Sequence, residues 1–235
     1  LQQARAASRR AVELAQQTGQ RERAALFATG VAMWEGLSGN AGGARRRAFD
    51  ALELSTGRDV QYAAGVALAR AGDVARAEAL ANDLDRRFPE DTSVRFTYLP
   101  TLRALVALNG TPVNPRKALE HLETAARYEL AVPGLPFSAF FGGLHPVYVR
   151  GEAYLAAGQG AEAAAEFQKI LDHRGIVGPD PISALARLQL GRAYALAGDK
   201  SRAAAAYRDF LALWKDADLD VPILTAARAE YDRLQ

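Results

Sequence analysis

Gly151-Glu152-Ala153-Tyr154-Leu155-Ala156-Ala157-Gly158-Gln159 and Gly191-Arg192-Ala193-Tyr194-Ala195-Leu196-Ala197-Gly198-Asp199 are variants of one segment, offset by 40 residues. The match continues beyond each turn, because Ala163 and Phe167 of the first copy answer to Ala203 and Tyr207 of the second at the same offset of 40. A third copy with the same internal spacing reads Gly65, Leu68, Gly72, Ala77 and Ala81, and ends at Arg87-Phe88-Pro89.

Each position has a physical reason. A glycine and an alanine on facing helices leave room for the two backbones to approach, and the aromatics fill the space beside that crossing. The later glycine can take the left-handed conformation that ends one helix, and the polar residue after it can cap the next. Pro89 fits the end of a unit because proline cannot continue a helix. The segments are therefore expected to be antiparallel helix hairpins.

Composition agrees with this reading. About a fifth of the chain is alanine, the residue that costs least in a helix. Apolar residues recur at three and four residue spacing, and no stretch alternates with period two. The predicted fold class is all-α, a right-handed superhelical solenoid of repeated hairpins. Weaker units are expected at Arg21 to Leu37 with Ala41 to Ser55, where Gly30 marks the crossing, and at Ser93 to Asn109 with Pro115 to Tyr128, kinked or started late by Pro100. Gln2 to Gln17 reads as a second helix lacking its first, and Val221 to Leu234 as a closing helix with Pro222 in its first turn. Three parts follow: a degenerate sub-array over 1–130, an aromatic connection over 131–146, and regular pairs with a cap over 147–235. The connection carries Phe137, Phe140 and Phe141, which either plug a gap between sub-arrays or line a binding surface.

Several function classes are excluded or left without support. The 235 residues are 49% hydrophobic and 24% charged with a formal charge of +2, an ordinary balance that carries no nucleic-acid footprint. The chain has no cysteine, which excludes disulfides, thiolate metal sites and cysteine nucleophiles. No apolar run is long enough for a membrane helix, and Leu1-Gln2-Gln3-Ala4-Arg5 has neither a leader core nor an initiator Met, so the sequence reads as a piece of something longer. His121, His145 and His173 lie far apart and read as solvated or structural. Glu162 and Glu166 read as a wet helix face. Arg45-Arg46-Arg47 spreads around a helix without interleaved aromatics, and no serine has a nucleophile context. No catalytic, metal or cofactor role is expected, and no nucleic-acid partner.

The small, aromatic, glycine, small, aromatic order resembles the tetratricopeptide repeat, whose unit is about 34 residues long. The stretch from Val147-Tyr148-Val149-Arg150 to His173-Arg174-Gly175, and that from Leu190-Gly191-Arg192-Ala193-Tyr194 to Leu213-Trp214-Lys215, resemble the tetratricopeptide tails of bacterial multidomain proteins. In that family the tail follows a eukaryotic-like serine/threonine kinase domain or a winged-helix regulator. His173-Arg174-Gly175 and Asp209-Phe210-Leu211 resemble kinase motifs but lack the catalytic aspartate and the glycine, and there is no phosphate loop, so this piece is not itself a kinase.

The resemblance implies a non-catalytic interaction or sensor module of a larger signalling protein, cytoplasmic or extracytoplasmic, that binds a peptide, a partner or the parent kinase or regulator domain. The alternative is a structural or oligomerisation scaffold with a self-filled groove. In this family first helices line the concave side, which assigns Phe27 and Trp34, Tyr62 and Arg70, Tyr148 and Glu152, and Leu188 and Arg192 to the groove, with Phe140 and Phe141 as one wall. Trp34 and the tyrosines have a second reading, as packing between repeats. The family's clamp for C-terminal carboxylates needs Lys and Asn at these places, and neither is present. Tyr62 with Arg70 and Tyr148 with Arg192 are the expected hot spots, at positions expected to be exposed.

Overall fold

The computed structural model describes residues 2–131, 144–178, 180–218 and 221–234. These are helical, with no strand among them. The chain divides into two compact units, Leu1–Thr111 and Pro112–Gln235. The boundary thus precedes the expected connection, and the helix that starts at Pro115 belongs to the second unit.

The first unit contains α1 (Gln2–Gln17), α2 (Arg21–Leu37), α3 (Ala41–Leu54), α4 (Arg58–Arg70), α5 (Val74–Arg87) and α6 (Leu99–Asn109). Each helix packs against those adjacent in sequence, and α4 also touches α2 and α6. One turn recurs after α1, α2 and α4. Gly19, Gly39 and Gly72 have φ of 71°, 88° and 79°, and the next residue donates its N–H to the carbonyl five positions back, as in Gln20 to Ala15, Asn40 to Glu35 and Asp73 to Leu68. The next polar side chain caps the following helix at Asn40, which accepts from the Gly43 N–H, but not at Asp73. Gly65 lies against Leu102 of α6, where a Cβ would come within 2.8 Å of that side chain. Ala81 is too small to fill the aromatic's place, and Leu102 takes it from the following helix.

Residues Val94–Tyr98 form a π turn that runs directly into α6. Pro100 explains it. Proline lacks the N–H that the α-helical ladder requires, the Leu99 N–H bonds back to the Val94 carbonyl, and the Thr101 hydroxyl donates to the Thr97 carbonyl at 2.6 Å. The kink or late start expected from Pro100 takes this form: the α-helix proper begins at Leu99, and the turn before it is widened.

The second unit contains α7 (Pro115–Leu122), α8 (His145–Ala156), α9 (Gly160–Asp172), α10 (Arg174–Val177), α11 (Ile182–Leu196), α12 (Lys200–Leu213) and α13 (Pro222–Asp232), with a 3-10 segment over Glu123–Arg127. The tail of the expected helix to Tyr128 is thus 3-10, and the short α10 occupies part of the stretch that lengthens the repeat. The 40-residue coincidence is physical. A Cβ on Gly151 would meet the Phe167 ring at 2.6 Å, and one on Gly191 the Tyr207 ring at 2.8 Å. Gly158 and Gly198 have φ of 77° and 80° and end α8 and α11 in the same turn, with Gln159 donating to Tyr154 and Asp199 to Tyr194. Ala163, Ala203 and Phe167 are fully buried, and burying a ring such as that of Phe167 contributes roughly 1.5–3 kcal/mol.

Candidate functional site

The expected groove residues fall into three groups. Phe27, Trp34, Arg70, Glu152 and Arg192 are half-buried. Tyr62, Tyr148 and Leu188 are buried, at 1%, 1% and 0% exposure, which corrects the expectation that the two tyrosines are exposed hot spots. Phe137, Phe140 and Phe141 lie outside the described residues. The first helices of successive hairpins each have neighbours on several sides, so ten residues of α4 and eight of α11 are buried, and little of either surface is left to a ligand.

The Tyr62 ring is stacked on Tyr98 of the π turn, with centroids 3.9 Å apart and planes 3° from parallel. The Tyr98 hydroxyl donates to Asp59 at 2.7 Å, and Arg58 bridges Asp59 at 2.8 Å and Asp91 at 2.6 Å. Burial, then the Asp59 charge, pushes the Tyr98 phenol well above its ordinary value. Arg70 packs against the α2 backbone at Gly36.

In the second unit Tyr148 and Arg192 are joined through a third residue. Gln189 donates to the Tyr148 hydroxyl at 3.1 Å and accepts from Arg192 Nη1 at 3.3 Å. Arg192 faces Glu230 of α13 in a fork, Nε to Oε2 at 2.8 Å and Nη2 to Oε1 at 2.8 Å. The Tyr207 hydroxyl donates to the same carboxylate at 2.8 Å. Burial opposes the charge on Glu230, but the hydrogen bonds and charge of Arg192 outweigh it and hold the carboxyl below its ordinary value. Burial and the bond to Glu230 push the Tyr207 phenol up. The arrangement is a built receptor for one carboxylate, filled by the chain's own helix.

Other polar groups are structural. Arg150 donates to Glu129 at 2.7 Å and to Glu166 at 2.6 Å, and Lys169 donates to Glu129 at 2.8 Å. Glu166 is therefore part of an ion network and not a wet face, while Glu162 is exposed. Glu35, at 2% exposure, receives a fork from Arg5 at 2.6 and 2.7 Å and the Asn40 amide at 2.8 Å, and so ties α1 and the α3 cap to α2. Arg45 donates to the Ala71 carbonyl at the end of α4, and Arg47 lies 3.7 Å from Glu35, so two of the three basic residues serve packing. His173 bonds to the Lys169 carbonyl, and buried His145 pairs with buried Asp180 at 2.8 Å. No group of three or more His, Asp or Glu among the described residues could hold a metal ion.

Sequence reasoning missed the His145–Asp180 pair and the Glu230 ligand, whose partners lie 35 and 38 residues away with no local motif. No protein-family model matches the sequence, and no curated protein matches it.

Proposed function

We propose that the chain is an array of tetratricopeptide-like hairpins, a right-handed solenoid, that serves as a non-catalytic protein-interaction or sensor module of a larger bacterial signalling protein. The observation that supports this most is the repeated crossing, with Gly151 under Phe167 and Gly191 under Tyr207, each followed by the same left-handed glycine turn. Arrays of this kind present side chains from successive first helices to a ligand, and the half-buried Phe27, Trp34, Glu152 and Arg192 are the candidates left for that role. No helix among the described residues is long and apolar enough to cross a membrane.

A specific observation favours the second reading, a scaffold with a self-filled groove: Arg192 is already engaged by Glu230. Titration of the full chain with candidate partner proteins, including kinase and winged-helix domains, alongside a light-scattering mass separates the two. Saturable binding by a monomer supports the interaction module. A stable oligomer that binds none of them supports the scaffold.

A further inference from the structure

Helix α13 is lightly held. Its buried residues are Leu224 and Ala227, with Val221 buried just before it, whereas α8 and α11 each bury eight. Residues 214–217 before it form turns and a bend, and not the tight glycine turn that joins α11 to α12. A helix of eleven residues is marginal by itself, so α13 belongs to the parts of the second unit that open at low free energy.

What α13 covers is firmer. Tyr148 and Gln189 hold Arg192 from behind, and Tyr207 stands beside it, so the receptor for Glu230 is assembled from α8, α11 and α12 without any contribution from α13. When α13 leaves, a part-buried guanidinium and a phenol lose their carboxylate, and that vacated seat favours another.

We propose that this seat is a docking site for an amphipathic helix of a partner protein that presents a single glutamate to Arg192, and that α13 is an internal occupant which the partner displaces. The accepted pattern is read from α13 itself: Leu224, Ala227 and Glu230 stand three residues apart on one face, a Leu-x-x-Ala-x-x-Glu stripe. A second copy is disfavoured as occupant, because an identical helix gains no contacts over the tethered one and lacks its effective concentration. The inference rests on the interaction reading above and narrows it to one site and one class of ligand.

The probe is a fluorescent peptide with the sequence of residues 221–234, titrated into the full chain and followed by anisotropy. Leu224→Asp undocks α13 in the chain and is expected to raise peptide affinity at least about tenfold over wild type. Adding Arg192→Gln to that variant is expected to remove the gain, as is replacing the peptide's glutamate by glutamine. Glu230→Gln in the chain, which keeps the apolar contacts, serves as a second variant should Leu224→Asp lose helicity beyond α13, and it is expected to strengthen peptide binding at least about threefold. The proposal is overturned if neither variant binds the peptide better than wild type, if Arg192→Gln leaves the gain intact, or if scattering shows an exchanged dimer. A partner protein that binds wild-type and Arg192→Gln chains equally overturns this inference while leaving the interaction reading in place.

Discussion

Gly160, the first residue of α9, approaches Ala193 of α11 so closely that a Cβ on it would lie 2.6 Å from the Ala193 carbonyl oxygen and 2.8 Å from the Ala197 nitrogen. Backbone cannot swing aside as a side-chain tip can. Gly160→Ala is therefore expected to push the two helices apart and cost about 1–3 kcal/mol in chemical denaturation. Gly175→Ala is the control, since nothing lies within 4 Å of its Cβ position, and a change beyond about 0.5 kcal/mol to the unfavourable side there would count against the contacts as described.

The crossing in the second copy has the same sensitivity from the other helix. Ala203 is fully buried, and Ala203→Leu is expected to overpack by about 1–3 kcal/mol. An unchanged thermal midpoint would remove Ala203 from the crossing.

His145 and Asp180 form a buried pair in which Asp180 also accepts from the Ile182 N–H at 3.0 Å, capping α11. Asp180→Ala leaves a buried imidazole without its partner and the helix without its cap. The expected loss is about 1–3 kcal/mol. A denaturation midpoint within error of wild type would refute it.

Glu35, Glu129 and Glu230 are all held below the ordinary value of 4.5, each because hydrogen bonds and charge from arginine or lysine outweigh burial, which acts the other way. The unfolded chain then binds protons at higher pH than the folded one. Stability from these groups is complete above 4.5 and declines as pH falls through the lowered folded values. Urea midpoints are expected to fall between about pH 5.5 and pH 3, and Glu35→Gln to flatten that slope. A slope equal to wild type in the variant would show that Glu35 is not among the groups responsible.

The limits of α2, α3 and α13 were legible because punctuation sets them: Gly39-Asn40 before α3 and Pro222 in the first turn of α13 act locally. The same turn at Gly19 and Gly39 carried a signal as clear as that at Gly72, in Thr18-Gly19-Gln20 and Ser38-Gly39-Asn40. The π turn was not legible, since how a chain absorbs one missing N–H at Pro100 depends on what Tyr98 and Thr101 find nearby. The groove suffered most. Register places Tyr62 and Tyr148 on a helix face, but which face stays open depends on neighbours, and here Tyr98 covers one ring and Phe167 meets the other at 5.6 Å. Register places Arg192 on the same kind of face, yet only the fold reveals that Glu230 already answers it.

Within each unit the helices pack chiefly against their neighbours in sequence, and this bears on how the chain responds to being pulled. Contacts between distant segments are few, so little entropy is spent in closing long loops, and folding can proceed one hairpin at a time. Stretched from its termini, such a chain would not yield in a single rupture. It would shed hairpins in order from the ends, each releasing roughly 40 residues of slack, on the order of 130–140 Å at full extension, and take them back as the load falls. Its extension under load would therefore grow in steps of one hairpin and not in one jump.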